Sequence, residues 1–222
     1  GDLFLKNNLN EKTLVVFILD ESGSMEAYKK ETIEGFNEYI ETLQSDDKPT
    51  IMKLITFSTR NIKVLVDAKD VMEVRGITRD SYIPSGGTPL LDAIARGILD
   101  TDDYIEWSEE EVNIMFTIMT DGLENSSRIF SASQVSDMIN EREKRGWIFT
   151  YLGANQDAWS EGRKMGIKSK YASRYQYDNP KEAMRVMAES TIRSKAGWGK
   201  ARTSDEFFTA DEKDRLLRRK NR

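Results

Sequence analysis

Three uninterrupted apolar runs punctuate the chain: Thr13–Leu19, Val112–Met119 and Trp147–Leu152. Each is short and rich in β-branched or aromatic residues, so each predicts a strand buried on both faces. Between them the spacing changes to helical. From Met25 to about Gln44, residues Tyr28, Ile33, Phe36, Tyr39, Ile40 and Leu43 fall near one stripe, with Glu and Lys elsewhere. Leu90, Leu91, Ile94, Ile98 and Leu99 make the apolar side of a helix that runs to about Trp107, with Pro89 suited to its first position. Ser131–Arg145 predicts a third helix, N-capped by Ser131 or Ser133 and stopped by Gly146. Asp157–Met165 and Asn179–Arg193 predict two more.

The remaining strands are weaker. Ile51–Phe57 and Ile62–Val66 are joined by the four residues Ser58-Thr59-Arg60-Asn61, which predicts a hairpin and an antiparallel edge strand. Tyr171–Tyr175 predicts a last short strand, and Val71 to Ile83 is less regular. Strands alternating with helices imply an α/β fold. We expect a Rossmann-like, doubly wound, mainly parallel sheet with one antiparallel edge strand and helices on both faces. Right-handed crossovers then set the strand C-termini along one edge, where ligands of such sheets bind. Residues 1–194 are expected to form this domain. Residues 195–222 mix Lys and Arg with Asp and Glu and predict a charged tail, disordered or a short helix around Asp211–Arg219.

Composition narrows the chemistry. The 222 residues contain no Cys and no His. That removes disulfides, thiolate nucleophiles, Ser-His-Asp relays and the usual zinc sites. The formal net charge of -5 speaks against the whole chain binding nucleic acid. No apolar run approaches the ~20 residues of a membrane helix, and no basic leader precedes one. The expectation is a soluble cytoplasmic protein with no membrane partner, in the host cytoplasm if phage-encoded.

The chemistry that remains is oxygen-based. Asp20-Glu21-Ser22-Gly23-Ser24-Met25 follows the first strand directly. Asp20, Ser22 and Ser24 alternate, so in an extended segment they point the same way and offer three hard donors to a divalent cation. Thr88 sits in Gly86-Gly87-Thr88-Pro89 before a helix, and Asp121 follows the Val112–Met119 strand. Each piece alone reads as turn or cap chemistry. Their joint occurrence at predicted strand ends is more specific.

With these residues in place, the chain resembles a von Willebrand factor type A domain. That family's metal-ion-dependent adhesion site is Asp-x-Ser-x-Ser, then a Thr, then an Asp, matched here by Asp20, Ser22, Ser24, Thr88 and Asp121. The stretches Phe17–Met25, Ile118–Asn125 and Tyr151–Asp157 are similar to stand-alone bacterial and bacteriophage members. The resemblance covers about Lys12 to Arg193. It implies a Mg2+ ion, with Mn2+ or Ca2+ as alternatives, bound through the hydroxyls of Ser22, Ser24 and Thr88. Asp20 and Asp121 would act directly or through water. It also implies a protein partner whose Asp or Glu completes the coordination, such as an AAA+ ATPase or a phage or host assembly. Two carboxylates leave the ion nearly neutral, and neutral hydroxyls keep it attractive to an outside carboxylate.

Two other functions remain open at this point. A Mg2+-dependent phosphoryl-transfer or hydrolytic enzyme would also place an Asp after the first strand. Such enzymes generally carry a second Asp where this chain has Ser22, and no Walker loop is present. A nucleic-acid or ribonucleoprotein component would use the basic tail, against the acidity of the chain. Among lesser features, Glu124 and Asn125 lie on the predicted edge, where capping roles are expected. Asn155 is expected to N-cap the Asp157 helix. Glu21 is expected to face solvent or a partner. Tyr171, Tyr175, Tyr177 and Arg174 form an aromatic-basic cluster, read as strand packing ahead of a base-stacking surface.

Overall fold

The structure is a computed structural model that describes residues 12–154, 157–198 and 206–220. Strands β1 (Thr13–Asp20), β2 (Thr50–Phe57), β3 (Ile62–Asp70), β4 (Asn113–Thr120), β5 (Ile148–Gly153) and β6 (Ala172–Arg174) form one sheet. Their order is β3-β2-β1-β4-β5-β6. All neighbours are parallel except β2 and β3, the expected antiparallel edge. The helices are α1 (Lys29–Gln44), α2 (Leu90–Ser108), α3 (Ala132–Lys144), α4 (Ala158–Lys164), α5 (Pro180–Ala196) and α6 (Ala210–Leu216).

β1 is the central strand and every residue in it is buried. Alternation sends Leu14, Val16 and Ile18 to one face, where Leu90, Ile94 and Ile98 of α2 and Val135 and Ile139 of α3 cover them. Val15, Phe17 and Leu19 point to the other face, under α1 and α5. There the Phe17 ring meets Phe36 and Tyr39 edge-on, at 5.4 and 5.2 Å. α1 and α5 pack closely because Gly35 has no Cβ: one added there would lie 2.8 Å from the Lys181 Cα.

The register aligns the strand ends. Asp20 pairs with Phe57, Leu19 with Met119, and Thr120 with Gly153. One edge of the sheet therefore carries the ends of β1, β2, β4 and β5 in a row. At the opposite pole, the buried Lys195 amine donates to Asp46, to the Lys48 carbonyl and to Thr50 Oγ1, tying the end of α5 to the turn before β2.

The departures from the expected elements are local. The Met25–Gln44 helix begins as a 3-10 turn over Gly23–Tyr28 before α1 proper. β3 runs four residues past Val66, with register shifts against β2 and Ala68 at φ 47°. Such irregularity guards an open edge against pairing. Ser131 caps α3 in a reciprocal capping box with Gln134. The irregular segment after β3 is held by α1: Asn37 bonds both backbone groups of Ile77, and Gln44 reaches the carbonyls of Val71 and Val74.

Residues 206–220 pack onto α5 and β6. Phe208 is fully buried, and Phe207 and Leu216 nearly so. Arg193 forms a fork with both oxygens of Glu212 at 2.6 and 2.7 Å, and Arg215 pairs with Glu182 and Glu189. The Gln176 N–H donates to the Leu216 carbonyl at 2.7 Å. Residues 199–205 and 221–222 of the expected tail lie outside the described residues. If this packing is integral to the domain, Phe208→Ala should lower the urea-unfolding free energy by about 3 kcal/mol in a single transition. An unchanged midpoint would mean that the segment adds nothing to stability.

Candidate functional site

The five sequence-predicted donors come from three segments at the C-terminal edge of the sheet. Asp20 ends β1. Its Oδ1 accepts the Ser22 N–H at 2.7 Å, and its Oδ2 accepts the Thr120 hydroxyl at 2.6 Å. The Ser22 and Ser24 hydroxyls lie 3.1 Å apart, and Ser24 Oγ donates to Asp121 Oδ1 at 2.8 Å. Asp20, Ser22, Ser24 and Asp121 thus form one continuous polar chain. Thr88 joins from the third segment. A Cβ placed on Gly122 would sit 3.4 Å from Thr88 Oγ1, so this hydroxyl looks into the Asp121-Gly122 turn.

The loops are tied into register by their backbones. The Gly23 N–H donates to the Gly86 carbonyl at 2.9 Å, joining the β1 loop to the glycine turn. Gly86 holds φ at 70°, and a Cβ there would meet Thr59 Oγ1 at 2.2 Å. Glycine is required on both counts. Asn125 Oδ1 accepts the Thr88 N–H at 2.8 Å. Glu124 accepts from the N–H groups of Leu91, Ser126 and Ser127 and from the Ser127 hydroxyl, all within 2.7–2.9 Å. Asp92 accepts from the N–H groups of Arg128, Ile129 and Phe130. These acids satisfy orphan donors at the start of α2 and in the loop after β4, in keeping with the expected capping roles of Glu124 and Asn125.

Glu21 corrects an expectation. It is 3% exposed and does not face solvent. Its carboxylate accepts the Ile83 N–H and pairs with Lys63 Nζ at 2.9 Å. Period-two alternation pointed it away from Ser22 and Ser24 correctly. What lies on that side is β3 and the 77–88 loop, which the local pattern does not reveal. Sequence reasoning also missed Thr120, although its place beside Asp121 was a usable signal. Tyr82 carried no signal at all: it comes from the irregular loop, is fully buried, and donates its hydroxyl to the Asp20 carbonyl at 2.6 Å.

The aromatic cluster disperses. Tyr175 is buried, Tyr171 packs edge-on to Phe207, and Tyr177 packs edge-on to Tyr28 at 5.7 Å. Lys170 Nζ lies over the Tyr171 ring at 5.1 Å. Asn155 and Gln156 lie outside the described residues, so the expected cap falls there too.

A family model, the von Willebrand factor type A domain, matches residues 15–189. The chain belongs to the von Willebrand factor type A family. Members of this family commonly serve as metal-dependent protein-interaction modules. Among solved structures, this vWA chain is similar to proximal thread matrix protein 1 from the mussel byssus, with TM-score 0.57 and 16% identity, over 82% of this chain and 46% of that one. It is also similar to the manganese-loaded Plasmodium vivax TRAP protein, with TM-score 0.54 and 21% identity, over 79% and 72%. A von Willebrand factor type A protein from Catenulispora acidiphila gives 0.55 and 14%, over 82% and 43%. At these identities the likeness shows the shared fold. The chain spans less than half the length of the mussel and Catenulispora proteins it matches. No curated protein matches the sequence.

The vWA site carries an electrostatic load. Burial pushes the Asp20 carboxyl up to about 6, offset in part by its bonds to Thr120 and Ser22, with Asp121 adding repulsion. Burial also raises Asp121, while Ser24 draws it down. A raised carboxyl stabilises the fold below the unfolded value and loses that contribution as pH rises through about 6. Asparagine fits the same place: its oxygen can accept from Ser22, and its amide can donate to Thr120, whose hydroxyl turns to the Gly122 carbonyl at 3.1 Å. In metal-free buffer, Asp20→Asn should therefore gain on wild type from pH 4 upward and lead by about 3 kcal/mol at pH 8. Chemical denaturation across pH checks this, and a wild type more stable at pH 8 contradicts it.

Proposed function

We propose that the chain is a non-catalytic module that captures a protein partner through a divalent cation, Mg2+ in first place. The observation that carries this reading is the convergence of two desolvated carboxylates, Asp20 and Asp121, with the Ser22, Ser24 and Thr88 hydroxyls at one edge of the sheet. Thr88 is buried as a residue, and its hydroxyl faces the Asp121-Gly122 turn. A cation among Asp20, Ser22, Ser24, Thr88 and Asp121 would relieve the two desolvated carboxylates.

The donor set fits a hard ion. It holds two carboxylates and three hydroxyls, and no cluster of three or more acidic, His or Cys residues exists among the described residues. Such a set suits Mg2+, Mn2+ or Ca2+ over softer metals. When bound, the ion would offer an open position to a partner's Asp or Glu. This chain's residues hold the ion, exclude water on the sheet side and keep the net charge near zero. A manganese-loaded relative in fold, TRAP, is consistent with the choice of cation class. The absence of His and Cys leaves no relay beside the site, which supports binding over catalysis.

Mg2+ at about 100 times its dissociation constant should stabilise the wild type by about 2.7 kcal/mol, seen as a chelator-reversible rise in Tm. Thr88→Ala and Asp121→Ala should lose most of that rise. A partner drawn from the native source should elute with chelator and fail to bind Asp20→Ala. Capture that ignores chelator and both Asp variants would sink the metal-dependent reading.

A further inference from the structure

We infer that the partner segment is an extended, multiply acidic one. It would place one carboxylate at the metal position and carry further carboxylates to a basic groove formed by the end of the chain. This rests on the metal reading above and adds a second anchor.

The path between the two anchors can be followed through contacts. The 3-10 turn that carries Ser24 ends at Tyr28, whose hydroxyl is held up by burial, by neighbouring Tyr177 and Asp178, and by the charge of Asp121. Tyr28 thus closes the same turn that presents Ser24 to Asp121. Its ring meets Tyr177 edge-on at 5.7 Å, and Tyr177 is half exposed. Beyond Tyr28, Glu31 in the first turn of α1 pairs with Lys220 at 2.6 Å. Asn179 Nδ2 donates to the Arg218 carbonyl at 3.3 Å. Asn179, Glu182, Arg218, Arg219 and Lys220 line an open groove of ≈ 500 Å3.

The charge of this groove is unbalanced in a useful way. Its lining acid Glu182 is engaged by Arg185 and Arg215, and nearby Glu31 by Lys220, while Asp178 beside Asn179 holds one buried oxygen without a hydrogen bond among the described residues. Arg218 and Arg219 are exposed and form no ion pair among the described residues. Two guanidinium groups without an ion pair among the described residues thus stand at the far end of the path that runs from Ser24 past Tyr28 to the Glu31–Lys220 pair, in a chain whose net charge is -5. Arginine forks suit carboxylates, and complementary charge steers encounter. The Tyr28–Tyr177 pair between the anchors offers apolar ring surface to one hydrophobic side chain of the partner.

Two labelled synthetic peptides test this by fluorescence anisotropy in Mg2+ at about 50 mM salt. Both carry one Asp and one Phe in a Gly/Ser context; the second adds four Glu after the Phe. The wild type should bind the Glu-extended peptide about tenfold tighter, and the preference should shrink at high salt. Arg218→Ser/Arg219→Ser should abolish the preference while leaving the Mg2+-dependent rise in Tm intact. Both arginines are exposed and form no ion pair among the described residues, so the variant should fold. Metal-dependent binding with no preference for the Glu run, or with a preference that the arginine variant keeps, overturns the second anchor alone. Binding that is unchanged by chelator but lost in the arginine variant overturns the metal reading and, with it, the two-anchor mode.

Discussion

The structure turns on one desolvated carboxylate. Asp20 ends the central strand, and every residue before it in that strand is buried. Its charge is therefore brought to a place where water cannot stabilise it, and burial, only partly offset by its hydrogen bonds, leaves its carboxyl raised to about 6. Such a group must be held by hydrogen bonds, neutralised by a proton or matched by a cation. The Ser22 N–H and the Thr120 hydroxyl supply part of the support, and Tyr82 fixes the backbone carbonyl behind it. Asp121 then adds a second carboxylate on the same edge, which deepens the deficit of positive charge.

The surrounding acids have a different task. Glu21, Asp92 and Glu124 are satisfied by backbone N–H groups or by Lys63, and they clamp the loops together. Their charges are used within the scaffold. Asp20 and Asp121 form no ion pair with a cation among the described residues, which separates the two classes on physical grounds. A similar division recurs around residues 218–220, where Glu31 and Glu182 are engaged while Arg218 and Arg219 form no ion pair among the described residues.

Much of the fold was legible because its signals are local. Continuous apolar runs marked β1, β4 and β5, and helical stripes marked α1 and α2 to within a few residues of their ends. The four-residue link marked the β2–β3 hairpin, and alternation of strands with helices marked the parallel sheet. The candidate donors were legible for the same reason: each ends or follows a recognisable element. Glu21 was misjudged because its partners, Lys63 and Ile83, lie 42 and 62 residues away. The burial of Phe207 and Phe208 was equally hidden, since two aromatics in a charged segment declare no surface of their own.

By itself, the sequence determined the strand-and-helix alternation, the oxygen-only chemistry and the order of Asp20, Ser22, Ser24, Thr88 and Asp121 along the chain. Periodicity and composition suffice for these because they depend on neighbours within a few residues. Only the tertiary structure decided which oxygens meet, which acids are already neutralised and which arginines form no ion pair among the described residues. Those outcomes depend on parallel register and on loops crossing between distant strands, and on which charges lose their water when the sheet is covered. No local pattern encodes a desolvation that two remote segments impose together.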